Sequence, residues 1–216
     1  MAKKINAYIP ALNQTWLTPL YDPLLKWGMR EENFKRYLVE RTYLQPGWRV
    51  LDLGCGTGTL TIQLKQSQST AEVFGLDGDP HILEIAREKS SAAGVDIQWK
   101  EGLAFDIPNP SNYFDRVVSS LMIHHLTPEN KVSAFWEVYR VLKPGGEAHI
   151  LDFGKPHGLV MSLVSTLIAH LEEAGDNVNG RIPAMLQESG FSEIYIPRRF
   201  KTIFGELSYY QTSKAQ

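Results

Sequence analysis

The chain has 216 residues, 43% of them hydrophobic and 21% charged, with 22 Lys plus Arg against 24 Asp plus Glu for a formal net charge of -2. That is enough apolar material for the core of one domain, and it leaves no basic excess to neutralise a polyphosphate backbone, so nucleic acid is excluded as an expected partner. The single cysteine, Cys55, excludes an internal disulfide framework and a cysteine-based zinc site; no metal is expected, and a reducing cytoplasm fits.

Lys3 and Lys4 open the chain, but Ile5 to Leu20 is broken by Asn6, Pro10, Asn13, Gln14 and Pro19, so no signal-peptide core is read and export is not expected. Residues 1–47 carry Tyr8, Trp16, Tyr21, Trp27, Phe34, Tyr37 and Tyr43 among several prolines and read as a helical cap beside a sheet. From Trp48 to Phe153 short β-rich runs alternate with helical periodicity, the pattern of a parallel sheet covered by helices on both faces. Strands are predicted at Arg49–Leu53, Glu72–Asp77, Asp96–Glu101, Asp115–Ser120 and Glu147–Phe153, with helices at Gly58–Gln66, Pro80–Ala93 and Pro128–Leu142.

Thr127 and Pro128 start the third helix and Lys143-Pro144-Gly145-Gly146 stops it. Val132, Phe135, Trp136, Tyr139 and Leu142 recur at helical spacing and are expected to pack onto the sheet. Next comes an apolar helix at Leu159–Leu171, short of the roughly 20 apolar residues that cross a bilayer. A helix near Ile182–Glu188 follows, then two β-rich runs, Ser192–Pro197 and Lys201–Thr212, which pair as an antiparallel hairpin at one edge. The expected fold class is α/β: a seven-stranded mixed sheet, mostly parallel, in one domain of residues 1–216. Residues 1–47 are its cap, 48–153 its cofactor-binding core and 154–216 a helical insertion with the C-terminal hairpin.

Chemistry concentrates where the apolar run Val50-Leu51-Asp52-Leu53 meets Gly54-Cys55-Gly56-Thr57-Gly58. Alternating glycines let the backbone turn sharply and approach a ligand closely, and the helix behind them offers unpaired N–H groups. Asp77, at the carboxyl end of the second strand, can accept hydrogen bonds from a ribose diol, or serve as the N-terminal carboxylate of the helix that starts at Pro80. The pair marks a nucleoside cofactor site. A dinucleotide fingerprint would need glycine at position 59 or 61, both threonine here, and no Gly-Lys-Ser or Gly-Lys-Thr occurs, so phosphate-binding loops are disfavoured.

Asp52-Leu53-Gly54-Cys55-Gly56-Thr57-Gly58 resembles the first motif of class I S-adenosylmethionine-dependent methyltransferases. The likeness continues through Gly75-Leu76-Asp77-Gly78-Asp79-Pro80, Tyr113-Phe114-Asp115-Arg116-Val117-Val118-Ser119-Ser120, Ile123-His124-His125-Leu126 and Val141-Leu142-Lys143-Pro144-Gly145-Gly146. It spans roughly residues 48 to 153 in the right order, and Phe153-Gly154-Lys155-Pro156 is similar to the ubiquinone and menaquinone C-methylating enzymes. The resemblance implies a Rossmann-like fold, S-adenosyl-L-methionine as cofactor, and methyl transfer to a small or lipophilic acceptor whose receiving atom, carbon, oxygen, nitrogen or sulfur, the sequence does not specify. It also implies that Gly54, Gly56 and Gly58, with Cys55 and Thr57 between them, border the methionine part of the cofactor. Asp52 would organise the loop or accept from the amino group, Asp77 would take the ribose hydroxyls, Gly78 and Asp79 would flank the adenosine, and Ser119 would belong to the same pocket. Many relatives read Gly-Asp-Ala after the third strand, with the acid on the adenine amino group. Here Gly102-Leu103-Ala104 stands instead, so adenine is expected against Leu103 and backbone groups near Ala104, with Asp106 as a substitute.

A sulfonium donor needs no acid to activate its methyl group, so the protein mainly aligns donor and acceptor and excludes water. His124 and His125 follow the fourth strand on the edge where ligands sit in open parallel sheets. Either can serve as general base for an acceptor carrying a hydroxyl proton; alternatively His124 lines the pocket and His125 caps local backbone. Tyr21, in Leu20-Tyr21-Asp22, is the third catalytic candidate, through its likeness to a Tyr-Asp near the start of the quinone-methylating relatives. Tyr8, Trp16 and Trp27 can cover the sulfonium by cation–π attraction or simply pack, and Arg30 can pair with the cofactor's carboxylate or stay solvated. The stretch Leu159 to Ile168 can be buried, line an acceptor pocket or touch a membrane surface. The expected partner is a small-molecule substrate, and the absence of an Asn-Pro-Pro-aromatic block argues by resemblance against a nucleobase amino group. Two other classes stay open: a nicotinamide-dependent oxidoreductase, and a protein that binds the cofactor without turnover.

Overall fold

The computed structural model describes residues 31–158, 174–203 and 205–216. In chain order these form α1 (Glu31–Thr42), β1 (Arg49–Leu53), α2 (Thr59–Ser67), β2 (Glu72–Asp77), α3 (Pro80–Ala92), β3 (Gln98–Glu101), β4 (Phe114–Ser120), a 3-10 turn (Ile123–His125), α4 (Pro128–Val141) and β5 (Leu142–Phe153). A single-turn α5 (Gly175–Val178), α6 (Ile182–Glu188), β6 (Ile194–Thr202) and β7 (Gly205–Ser213) complete the set. Tyr8, Trp16, Tyr21, Trp27, Arg30 and the apolar run Leu159–Leu171 lie outside the described residues. Among the described residues no helix is long and apolar enough to cross a membrane.

The strands form one seven-stranded sheet in the order β3-β2-β1-β4-β5-β7-β6. β1 to β5 are mutually parallel, and β7 runs antiparallel to both β5 and β6. This is the Rossmann-like mixed sheet with an antiparallel edge expected from the sequence. The chain winds outward from β1 to β3, then returns to β4 on the other side of β1, so a crevice opens at the carboxyl ends of β1 and β4, the usual ligand position in such sheets.

Strands buried on both faces explain the continuous apolar runs. Val50, Val118, Leu151 and Tyr209 pack with Phe34 and Leu38 of α1 in one layer, while Leu51, Val117 and Ile150 pack with Phe135 and Val138 of α4 and Ile182 and Met185 of α6 in the other. Local signals set the helix starts: Asp79 caps α3 through His81 and Ile82, and Thr127 caps α4 through Asn130, each ahead of a proline in the first turn.

The structure departs from the sequence reading in three places. Lys143 to Gly146 do not form a loop between helix and strand but begin β5 itself. Gly145 N–H donates to the Lys214 carbonyl and Lys214 N–H to the Gly146 carbonyl, both at 2.9 Å, and the extra residues are absorbed as a register shift between the pairs at Phe114 and Arg116. Trp136 is 51% exposed rather than packed on the sheet. The buried face of α4 is Lys131, Ala134, Phe135, Val138 and Val141, and one step past Phe135 turns Trp136 about 100° away from it. The hairpin turn lies between Thr202 and Gly205, so β6 runs on through Pro197. Pro197 falls in the register shift between Tyr195 and Arg198 on the outermost strand, where a missing N–H costs no ladder bond.

Candidate functional site

The glycine loop leaves β1 with Gly54 at φ +70, Gly56 at +52 and Gly58 at +77, all in the left-handed region that favours glycine. It is pinned across to β2, with Gly54 and Cys55 N–H donating to the Leu76 carbonyl at 2.8 and 3.0 Å. The three glycines nevertheless do different work. A side chain at Gly54 would collide with Met122, which follows β4; one at Gly58 would meet the Trp99 ring at 2.6 Å and Ala86 at 3.1 Å; and at Gly56 no described atom lies within 4 Å. Packing therefore demands Gly54 and Gly58, and of the three only Gly56 presents its bare backbone to open space. Cys55 is buried against this packing, and its burial pushes the thiol well above its ordinary range, so it is an inert filler rather than a nucleophile. The hydroxyls of Thr57 and Thr59 accept from Lys89 Nζ at 2.9 and 2.8 Å, which ties α3 to the loop.

Three acids stand around this loop. Asp52 lies beneath it, 1% exposed, with Oδ2 accepting from the Thr61 hydroxyl at 2.6 Å. Burial outweighs that bond and pushes its pKa up to about 6. Asp77 is half-buried at the end of β2; Oδ2 accepts from Gly56 N–H at 2.9 Å and Oδ1 from Asp79 N–H at 3.1 Å, and burial raises its pKa despite those bonds. The capping carboxylate of α3 is Asp79, whose Oδ1 accepts from His81 and Ile82 N–H at 2.9 and 3.4 Å. That settles the alternative posed for Asp77, which braces two loops rather than capping the helix. It also turns Asp79 towards α3, leaving Gly78 between the two acids.

Beyond β3, Gly102 N–H donates to the Asp77 carbonyl at 3.0 Å, and the backbone closes into a turn through Asp106 N–H on the Leu103 carbonyl at 3.0 Å. Leu103 and Ala104 are half-buried there and Asp106 is exposed. Ser119 does not offer its hydroxyl to the crevice. It is 1% exposed and donates to the Leu53 carbonyl at 2.9 Å, locking β4 to β1.

On the other side of the crevice the 3-10 turn carries His124 and His125. His124 is 3% exposed, His125 is half-buried, and their rings lie 4.0 Å apart. Phe153 meets the His124 ring edge-on at 4.9 Å. Asp152, fully buried on β5, holds this turn: Oδ2 accepts from Ile123 N–H at 2.8 Å and His124 N–H at 3.4 Å, and Oδ1 faces His124 Nδ1 at 2.8 Å, Phe153 N–H at 2.7 Å and Asn177 Nδ2 at 3.1 Å. Burial acts to raise its pKa, but the charge and hydrogen bond of His124 and the Phe153 N–H prevail and hold it below the usual carboxylate range. Sequence reasoning missed Asp152 and Asn177. The available signal was a lone carboxylate in the otherwise apolar end of the fifth strand, Ile150-Leu151-Asp152-Phe153.

With this geometry in view, relatives become informative. Residues 50–146 match the family model described as a methyltransferase domain. An uncharacterized methyltransferase of Synechocystis is 34% identical over 172 residues, 76% of this chain and 76% of that protein. A demethylmenaquinone methyltransferase of Thermus thermophilus is 36% identical over 143 residues, 65% of this chain and 64% of that one, so the chain spans just under two thirds of its length. Among solved structures, the YcgJ protein of Bacillus subtilis has a TM-score of 0.71 over 86% of this chain and 99% of that chain at 17% identity, a likeness of fold. The chain belongs to the class I S-adenosylmethionine-dependent methyltransferases. It stands in the branch that includes the quinone methyltransferases, and its cofactor is S-adenosyl-L-methionine.

Proposed function

We propose that this methyltransferase acts on a quinone-derived lipophilic acceptor in its reduced, hydroxyl-bearing form, with the cofactor laid across the carboxyl ends of β1, β2 and β3. The observation that carries the reading is the conjunction of a glycine open to space, Gly56, with a half-buried carboxylate, Asp77, bonded to its N–H at 2.9 Å. The residues present fit the group. A carboxylate has about four lone-pair sites, so the two backbone bonds on Asp77 leave capacity for a ribose diol. Gly56, flanked by Cys55 and Thr57, gives the methionine part a backbone it can approach, and Gly78 does the same for the adenosine. Leu103 and Ala104 supply an apolar edge for adenine. Asp52 sets the loop from below, and Gly54, Gly58, Gly102, Ser119 and Asp79 hold its frame through packing and hydrogen bonds.

When bound, the cofactor supplies a methyl group on a sulfonium, electrophilic without acid assistance. The chain's own tasks are to bring the acceptor in line at roughly 3 to 3.5 Å, to exclude water, and to take the acceptor's proton, for which His124 and His125 are the candidates. Tyr21 is proposed beside the acceptor on its resemblance alone. The relatives include enzymes named for demethylmenaquinone and for 2-phytyl-1,4-naphtoquinone, and the lack of positive charge excess is in keeping with a small molecule rather than nucleic acid. A screen with labelled methyl donor tests the reading. Methylation of reduced demethylmenaquinone in preference to phenols, amines and thiols is expected, and turnover confined to amines or thiols would contradict it.

A further inference from the structure

The outer hairpin of the sheet carries charge that the cofactor site does not use. Arg198-Arg199-Phe200-Lys201 puts three cations into four residues of the outermost strand, β6. Arg36 joins them from α1, and the two elements enclose a groove of about 350 Å³. Four cations line it against one carboxylate, Glu40, in a chain whose net charge is -2. Arg36 reaches Glu40 only at 3.9 Å, and Arg199 approaches the buried Glu206 at 3.6 Å. Among the described residues no carboxylate forms an ion pair with Arg198 or Lys201. Arg198 lies over the Tyr37 and Phe200 rings at 4.9 and 5.2 Å, and those rings pack edge to face at 5.6 Å. A guanidinium stacked in this way is held in place while the N–H edge of its plane is left to meet an anion.

The hairpin reaches the same end of the sheet as the crevice. Phe200 pairs with Leu207, which pairs with Phe153, the last residue of β5, and the hairpin then runs past that level to Ile203, 63% exposed. An apolar tip beside a basic shoulder suits a bilayer surface: the tip enters the headgroup layer while arginine and lysine meet phosphates. Residues 1–30 carry Lys3, Lys4, Lys26 and Arg30 against Asp22 alone, so their charge does not neutralise the groove. We propose that the groove between α1 and β6, with the tip at Ile203, docks this chain on a bilayer surface through the phosphates of anionic phospholipids. The carboxyl ends of the strands, and the crevice with them, are then turned towards the bilayer, where a lipophilic acceptor resides. The docking stands whichever acceptor is methylated, because it is read from binding alone.

Flotation of the full chain with phosphatidylcholine vesicles containing about 30% phosphatidylglycerol, set against vesicles of phosphatidylcholine alone, tests this. The chain is expected to float with the anionic vesicles only, and to be released when roughly 0.5 M salt contracts the screening length to about 4 Å. That comparison needs no variant to fold. Lys201→Gln and Arg198→Gln are each expected to weaken vesicle binding about fivefold, and the double substitution about 25-fold. Ile203→Ser is expected to weaken it as well, and all of these variants to keep the wild-type affinity for S-adenosylhomocysteine. Equal recovery with the two vesicles, or full binding of a folded double variant to the anionic ones, overturns the proposal. So does release by millimolar glycerol phosphate, which would make the groove a site for a small anion, or by single-stranded RNA, which would make it a nucleic-acid surface. A wild type that docks but ignores the quinol contradicts the acceptor assignment alone, and one that methylates the quinol without preferring anionic vesicles contradicts the docking alone.

Discussion

On either side of β4 the sheet buries a carboxylate, Asp52 on β1 and Asp152 on β5, and their surroundings drive them in opposite directions. Asp52 has the hydroxyl and backbone N–H of Thr61 and the charge of Lys35 to set against its desolvation, which outweighs them, and its pKa climbs to about 6. Asp152 is as deeply buried, yet an imidazole, an amide and three backbone N–H groups keep it ionised and its pKa low. Burial alone does not decide the charge of a carboxylate; the donors that the neighbouring chain can aim at it do. The half of the sheet carrying the glycine loop therefore tolerates a strained acid that can take up a proton, whereas the half carrying the histidines is built around a fixed anion.

Removing the anion should cost most. Asp152→Ala leaves three N–H groups and the histidine without their acceptor and is expected to lower unfolding free energy by about 3 to 5 kcal/mol, read from urea denaturation. Its stability contribution is present above the carboxylate's unfolded pKa and lost as pH falls through its depressed folded value. A loss below 1 kcal/mol would erase the contrast with Asp52.

Within the glycine loop, Gly54→Ala combines left-handed strain with collision against Met122 and should cost about 2 to 4 kcal/mol. Gly56→Ala meets only the strain, about 1 to 2 kcal/mol, and should instead weaken S-adenosylhomocysteine binding. Calorimetry and thermal unfolding of the two variants side by side check that inversion.

Asp52→Asn should move stability the other way. A folded pKa of about 6 against an ordinary 3.8 means that the native state binds the extra proton between those values. Stability is therefore greatest below the unfolded pKa and falls as pH rises through about 6, by up to about 3 kcal/mol. An asparagine can still accept from Thr61, so the variant is expected to gain about 1 to 3 kcal/mol at pH 7 and to lose that pH dependence. Equal slopes in the two proteins between pH 4 and 7 would show that Asp52 is not strained.

The alternation of buried strands and capped helices was legible because each signal is local: Thr127 and Pro128 announce α4 from adjacent residues. What escaped needed distant partners. Gly145 joins β5 because Lys214 pairs with it from the far end of the chain, and Pro197 survives inside a strand only because that strand is the outermost. The glycine loop and Asp77 were equally plain in sequence. The division of labour among the three glycines was not, since Met122 and Trp99 reach two of them from other elements. The His124–Asp152 contact spans 28 residues, and nothing near either residue announces the other.

The central claim is that Asp77 and the open backbone at Gly56 cradle the cofactor. Titration calorimetry of S-adenosylhomocysteine against the wild type and Asp77→Ala tests it most directly. Binding to the wild type with a loss of about 10- to 100-fold in the variant is expected, as for two hydrogen bonds to a charged acceptor; equal affinities in the two proteins would place the cofactor elsewhere and contradict the account.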